Sequence, residues 1–394
     1  MSLKILHTSD WHLGRCFRET RFDLFPVQRL ILNEIVNIVE HRGPQIVIIA
    51  GDIFDTYNPP FDAEYQFYET IIRIVEKGSL VIAIAGNHDS PDKLSIGQPL
   101  IRGKHPILIV NSLSEGFVRD YEDDRFIISV EEGFFKIRIK DESVTVALKA
   151  VPYPSEARLS LSGEEFAEAL KKNFQNEPQF TCDYFVIASH LFLSGAIKSG
   201  SERIFQIGGA DSIPLEYFSQ RADYIALGHL HKYQCIGNAT YSATYSGSIY
   251  TFDMGEIGQN KGVCLWEENN SERKIQLIDF TGIPQIRKLE FPTLEEAINN
   301  VPDDQSYYYV VIRSSVNYRP DLIERMIKAY GDRLVNWRFE SIESSEEQGF
   351  VDITEMDEDE RFRGYYRSKN HSEPDEDLVK LFLECLEEAR NVTN

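Results

Sequence analysis

Five short polar clusters gather side chains that coordinate cations or move protons: Thr8-Ser9-Asp10-Trp11-His12, Gly51-Asp52-Ile53-Phe54-Asp55, Gly86-Asn87-His88-Asp89, Ser189-His190 and Gly228-His229-Leu230-His231. Neutral imidazole and carboxylate together suit Mn²⁺, Fe²⁺ or Zn²⁺, and an Asn amide oxygen can complete such a set. The candidate ligands Asp10, His12, Asp52, Asn87, His190, His229 and His231 outnumber what one ion needs. Two ions sharing one carboxylate would use them all, and Asp52, beside a glycine that admits close backbone approach, is the natural bridge. Each cluster alone has a plainer reading. Asp-x-His is more often a capped turn, Gly-Asn-His-Asp fits a tight turn, and a lone His190 would sit satisfied at a sheet edge. Gly-His-x-His is the most specific, because alternate residues of an extended segment point the same way. The combination decides: five of the nine histidines fall in these clusters, and each cluster ends a separate apolar run.

Those runs are the elements that must position the chemistry. Leu3 to His7, Gln45 to Ala50, Leu80 to Ala85, Tyr184 to Ala188 and Tyr224 to Leu227 read as buried strands. Between the early ones, Val27, Leu30, Ile31, Ile35, Ile38 and Val39 recur at helical spacing and stop at Gly43-Pro44, and a second helix is expected over Ala63 to Lys77. Strands alternating with helices mean a sheet covered on both faces. In such sheets ligands gather beyond the carboxyl ends of the strands, where all five clusters lie. Arg125 to Lys149 and Tyr233 to Phe280 read as shorter alternating strands, which makes the core a sandwich with antiparallel parts. From Gly282 the texture changes to a small α+β unit, with helices expected over Leu294 to Val301 and Pro320 to Tyr330 and strands over Tyr307 to Arg313 and Leu334 to Ser341. An acidic stretch, Glu343 to Glu360, follows. The segment from Asp375 onward places Leu378, Leu381, Phe382, Cys385, Leu386 and Ala389 on one helical face.

Composition bounds the alternatives. The 394 residues are 42% hydrophobic and 26% charged, which excludes disordered and fibrous classes and favours two domains over one. A net charge of -22 argues against a simple basic DNA-binding module. Residues 340 to 394 contribute half of it, with 17 acids against 6 bases. The cysteines Cys16, Cys182, Cys235, Cys264 and Cys385 are scattered and contain no Cys-x-x-Cys, so neither a disulfide framework nor a thiolate zinc site is indicated, and a reducing cytoplasm is expected. No apolar run nears the roughly 18 residues of a membrane span, and no export signal opens the chain.

In order and spelling the clusters resemble the calcineurin-like metallophosphoesterase superfamily. The strings His7 to Arg15, Ala50 to Asp55 and Ala85 to Pro91, with Phe362-Arg363-Gly364-Tyr365-Tyr366 and Glu373 to Leu378, look like its Mre-type nuclease branch, in particular the SbcD-like bacterial subunits. The resemblance spans essentially the whole chain. It implies an α/β fold, a metallophosphoesterase β-sandwich flanked by helices, with a nuclease domain over 1–281, a small α+β capping domain that orients DNA over 282–345, and an acidic linker with C-terminal helices over 346–394. It implies that Asp10, His12, Asp52 and His231 surround one divalent ion and that Asp52, Asn87, His190 and His229 surround another. The ions are expected to be Mn²⁺. His88 matches the family's catalytic histidine, beside the metals without ligating them. Archaeal relatives carry a second histidine where this chain has Asp55, so a strand-positioning role does not transfer to that position.

The implied activity is metal-dependent exonuclease and endonuclease cleavage of DNA ends and hairpins in repair, recombination and replication. The implied partner is an SbcC-type ABC ATPase, whose coiled coil the C-terminal helices would bind, in a heterotetramer built on a homodimer of this chain. The chain itself has no Walker A motif, so ATP dependence would come from that partner. Arg15, Arg18, Arg21, Lys93, Arg102, Lys104, Lys198, Arg203 and Lys232 lie in or near the motif loops and are candidates for phosphate contacts. A phosphomonoesterase or cyclic-nucleotide phosphodiesterase, and a non-catalytic DNA-end scaffold, are the competing readings. The first would not need the additional C-terminal segments, and the second would have lost a ligand.

Overall fold

The computed structural model describes residues 2–97, 104–112, 120–199, 212–238, 241–269, 272–313 and 319–340, and isolated positions between 359 and 382. Residues 1–340 form one compact unit and 341–394 a second.

The first unit opens with β1 (Ser2–Thr8), α1 (Phe25–Arg42), β2 (Ile46–Ala50), α2 (Phe61–Glu76), β3 (Leu80–Ile84), α3 (Pro91–Ser95) and β4 (Ile107–Val110). The strands β1 to β4 run parallel, because each helical crossover returns the chain to the same edge. A meander follows, β5 (Tyr121–Glu122), β6 (Phe126–Glu131), β7 (Phe134–Ile139) and β8 (Val144–Val151). After it come α4 (Glu156–Leu159), α5 (Gly163–Gln175), β9 (Tyr184–His190), β10 (Tyr224–Gly228), β11 (Gln234–Gly237), β12 (Ser242–Tyr245), β13 (Gly262–Asn269) and β14 (Glu272–Asp279). Among the described residues these strands make two sheets, ordered β14-β13-β1-β2-β3-β4 and β11-β12-β10-β9-β8-β7-β6-β5.

Period-two alternation decides which side chains enter which core. Leu3, Ile5, Ile46, Ile48, Leu80, Ile82 and Ile84 face the second sheet, meeting Ile137, Val146, Val186 and Ala226 in the sandwich interior. Their neighbours Leu6, Val47, Ile49, Val81 and Ala83 face outward onto α1 and α2. The outer face of the second sheet is covered by Phe166, Leu170 and Phe174 of α5, a helix absent from the sequence expectations. The early helices run slightly longer at their N-termini than expected, since Pro26 sits in the first turn of α1 and Pro60 caps α2.

The remaining elements are β15 (Ile286–Phe291), α6 (Leu294–Asn299), β16 (Tyr307–Arg313), α7 (Pro320–Tyr330) and β17 (Leu334–Glu340). Their three strands form a separate parallel sheet with β16 in the middle. One face holds its own core of Leu294, Val310, Ile312, Leu322 and Met326. The other sends Tyr309, Val311 and Val335 into the core on the helical side of the first sheet, and the rings of Phe22 and Tyr307 meet edge to face at 5.0 Å. The unit thus leans on the loop that follows β1.

The acidic stretch lies outside the described residues except for Asp359, as do Leu381, Cys385, Leu386 and Ala389 of the expected C-terminal face. Leu378, Val379, Lys380 and Phe382 are helical, and the Phe362 and Phe382 rings stack at 4.2 Å. No described helix is long and apolar enough to cross a membrane.

Candidate metal centre

The carboxyl ends of β1, β2 and β3 in one sheet meet those of β9 and β10 in the other, and every candidate ligand stands on this rim. The first two loops are laced backbone to backbone: the amides of Asp10, His12 and Leu13 donate to the carbonyls of Gly51, Asp52 and Ile53 at 3.0, 3.0 and 2.9 Å. Asp10, His12, Asp52 and His229 all have positive φ, at 51, 43, 49 and 102°. Side-chain-bearing residues avoid this region, so the surrounding contacts over-determine four strained positions at one site. Glycine clears the approaches. A Cβ on Gly51 would lie 2.3 Å from His190 Nδ1, and one on Gly228 would lie 1.9 Å from the Ala50 carbonyl oxygen.

The side chains gather into three groups whose donor atoms lie within 4.8 Å of one another: two buried ones, Asp10 with His12 and His231 and Asp52 with His190 and His229, and a half-buried one of His12 with Asp55 and His88. Nε2 of His12 and Nε2 of His231 face each other at 3.1 Å. Asn87 Oδ1 lies 3.0 Å from His190 Nε2 and 2.9 Å from His229 Nδ1. Asp52 stands between the groups. Its Oδ1 accepts the His88 backbone amide at 2.8 Å, while its Oδ2 lies 3.6 Å from His12 Nε2 and 3.4 Å from His190 Nε2. His88 is outside the two buried groups and shares the third with His12 and Asp55. Its ring meets that of His12 at 4.8 Å, and its Nδ1 donates to the Asp55 carbonyl at 2.7 Å. The Asp55 carboxylate approaches His12 Nδ1 at 3.3 Å and Arg15 at 3.4 Å.

A further set of residues positions these groups; of it the sequence clusters contained only Asp89, with no role attached. Glu256 is fully buried, with Oε1 2.8 Å from His231 Nδ1 and Oε2 bonded to Lys261 Nζ and Ser248 Oγ. Asp89 accepts from the backbone amides of Ile53, Phe54 and Gly86 at 3.1, 2.9 and 2.8 Å, tying the second loop to the third. Arg158 donates to the carbonyls of Gly86, Asp89 and Tyr153, which fixes the turn carrying Asn87 and His88. Gln28, on α1, donates to the His12 carbonyl and accepts from the Gly14 amide. None of these four ends an apolar run in the cluster pattern as a ligand type, apart from Asp89, so spacing alone gave no signal for them.

Burial governs the protonation. It pushes His12 and His229 down to about 3, leaving neutral rings with lone pairs to offer. Burial would also lower His190, but the Asp52 carboxylate outweighs it and raises that ring to about 9. The same pairing, against the upward pull of burial, holds Asp52 well below the usual carboxylate range. Burial raises Asp10. Glu256 would also be raised by burial, yet Lys261 and His231 hold it ionised below its ordinary value.

The donor set fits divalent cations. The Ala50 carbonyl can only accept, so His190 Nδ1 at 2.8 Å is the donor and its Nε2 faces inward. Glu256 fixes the same tautomer on His231. Imidazole nitrogens, carboxylate oxygens and one amide oxygen then converge in two sets with a carboxylate between them, an arrangement in which cations relieve mutual repulsion. Of the basic residues, Arg15 is engaged by Asp55 and Arg18 by Asp253 at 3.1 Å. Arg102 and Arg203 lie outside the described residues.

Residues 3–233 match the calcineurin-like phosphoesterase family. Over the whole chain it is similar to the SbcCD nuclease D subunit of Bacillus subtilis, 30% identical with 97% of each chain covered. It is similar likewise to the protein of that name in Staphylococcus epidermidis, 26% identical over 97% of this chain and 98% of that one. The Escherichia coli K12 protein is 27% identical over 72% of this chain and 68% of its own. The loops that supply both donor groups fall within the matched segment, and the chain belongs to the calcineurin-like phosphoesterases and, within them, to the family of the SbcCD nuclease D subunits.

Proposed function

We propose that this chain is the nuclease subunit of an SbcCD-type complex, hydrolysing DNA phosphodiesters at a centre of two divalent ions, with Mn²⁺ as the working metal. The observation that carries the reading is the pair of donor groups joined through Asp52, set in a chain similar along its whole length to nuclease subunits. When bound, such ions neutralise phosphate oxygens and acidify a water at neutral pH. Asp10, His12 and His231 would hold one, and Asn87, His190 and His229 the other, with Asp52 shared. His88 is the candidate catalytic residue. With Nδ1 committed to the Asp55 carbonyl, its Nε2 is the ring atom that, in the doubly protonated form, would give its proton to the leaving oxygen as the phosphorus–oxygen bond breaks, leaving the neutral ring.

The unit from 282 to 345 would orient DNA over the centre, and residues 346–394 would bind the coiled coil of an SbcC-type ATPase. Exposed Tyr57, Phe61, Tyr65 and Ile96, on and near α2, support a surface for a second copy of the chain within a heterotetramer. Cleavage of duplex ends and hairpins in the cytoplasm completes the reading. The test is parallel incubation, with Mn²⁺, of a blunt duplex, a DNA hairpin and a small chromogenic phosphodiester. Cleavage of the DNAs is expected, and preference for the chromogenic ester would favour a small-substrate phosphodiesterase instead.

A further inference from the structure

The two donor groups differ in charge and in what stands behind them. On one side Asp10 adds a carboxylate to His12 and His231. On the other, Asn87 adds only a neutral amide oxygen to His190 and His229. Asp52 is common to both. The next layer differs in what backs each ring: Glu256 stands 2.8 Å behind His231 and Asp55 3.3 Å behind His12, whereas His190 is backed by the Ala50 carbonyl. A carboxylate behind a coordinating imidazole makes the ring a stronger donor and fixes its tautomer.

Glu256 is built for this task. It is fully buried, one oxygen is taken by His231, and the other is held by Ser248 at 2.9 Å and Lys261 at 2.6 Å. Lys261 Nζ also reaches the His231 carbonyl at 3.0 Å, so one ammonium grips both the carboxylate and the backbone of the residue it supports. Glu256 and Asp55 are themselves paired with Lys261 and Arg15, and Asp89, held by three backbone amides, lies beneath the shared Asp52, so the difference in charge between the two sides is that of Asp10 against Asn87, while Glu256 acts by fixing the His231 ring and its tautomer.

We propose that the centre loads in order: the position flanked by Asp10, His12 and His231 takes its divalent cation more tightly, with Glu256 as the positioning residue that sets the difference, and the Asn87, His190 and His229 position fills second. The inference rests on the two-ion reading above. At limiting cation the chain would hold one ion and be silent, and cleavage would follow the weaker binding step.

The full-length protein is titrated with MnCl₂ while free Mn²⁺ is read from its EPR signal. Two resolved constants are expected, with H231A removing the tighter class and N87A the weaker. E256Q and the charge-neutral pair E256Q/K261M should weaken the tighter step about 10- to 100-fold and move the other less than about threefold. N87D, which adds a charge to the second position, should narrow the gap. Two ions with indistinguishable constants, loss of the weaker class in H231A, or equal weakening of both steps by E256Q would each overturn the ordering and leave the two-ion centre standing. Binding of fewer than two ions by the wild type would defeat the centre itself. Should the Glu256 variants fail to fold, the wild type, N87A, H231A and N87D decide the question.

Discussion

Replacing Asp52 by Asn keeps the shape of the bridge and removes its charge. Asp52 is 2% exposed, and an amide oxygen can still accept the His88 backbone amide that Oδ1 now accepts at 2.8 Å. What disappears is the negative charge at Oδ2, between His12 and His190. Unit charges about 4 Å apart at an effective dielectric constant of about 20 interact by about 4 kcal/mol, so a divalent ion loses about 8 kcal/mol. At the His190 position part of this is offset. In the metal-free site that ring keeps its proton up to about pH 9, and displacing it at pH 7 costs about 3 kcal/mol. Without Asp52 the proton is no longer held, and the net loss there falls to about 5 kcal/mol. His12, already neutral with a pKa of about 3, offers no such relief. Asp52→Asn should therefore weaken both ions by at least about a thousandfold at pH 7, and the Asp10 side more. The pH dependence carries the sign. A proton on His190 competes with metal below about 9, so wild-type affinity should climb with pH, by up to about tenfold per unit, and level off there. In the variant, with burial no longer outweighed by Asp52, the climb should end well below 9, at or under the ordinary histidine value of about 6.5. Isothermal titration with Mn²⁺ across pH, with circular dichroism to verify folding, reads both effects. A variant that keeps both ions within about tenfold of wild type, or loses one alone, refutes the shared carboxylate.

Three other perturbations separate the parts of the site. His88→Gln should lower DNA cleavage by about 10²- to 10⁴-fold with Mn²⁺ stoichiometry unchanged, as measured by single-turnover cleavage beside metal analysis; unchanged turnover contradicts its role. Gly51→Ala, at φ 88° with its new Cβ 2.3 Å from His190 Nδ1, should cost about 2–4 kcal/mol in denaturant unfolding, and an unshifted midpoint would mean the close approach is not required. Deleting residues from 371 onward should spare Mn²⁺-dependent nicking of single strands and abolish co-purification with the ATPase, so an intact complex would refute the docking assignment.

Much of this site could be read from the chain because strand ends are punctuated by composition. Fully apolar β2 and β3 stop abruptly at Gly51-Asp52 and Gly86-Asn87, and the alternation that buries Ile48 and Ile82 in the sandwich also fixes where the following loop begins. The partners that orient the ligands were not legible. Glu256 lies in a turn after Asp253, with no apolar run to announce it, and its meaning comes only from His231 folding back to 2.8 Å. Arg158 and Gln28 act through backbone carbonyls, a function that any long polar side chain could advertise equally in sequence. The helix α5 escaped notice because its apolar positions, Phe166, Leu170 and Phe174, are only three, spaced by four.

The centre draws on both ends of a long stretch of chain. Asp10 is separated from His231 and its clamp, Glu256 and Lys261, by some 220 to 250 residues of chain. The strand β1 that leads into Asp10 is flanked on its outer side by β13, which ends at Asn269. A fragment that ends before His231 would therefore lack that ligand and the pair that clamps it, and with them one of the two buried donor groups. Distance along the polypeptide makes the centre a product of the completed sandwich and not of any one segment.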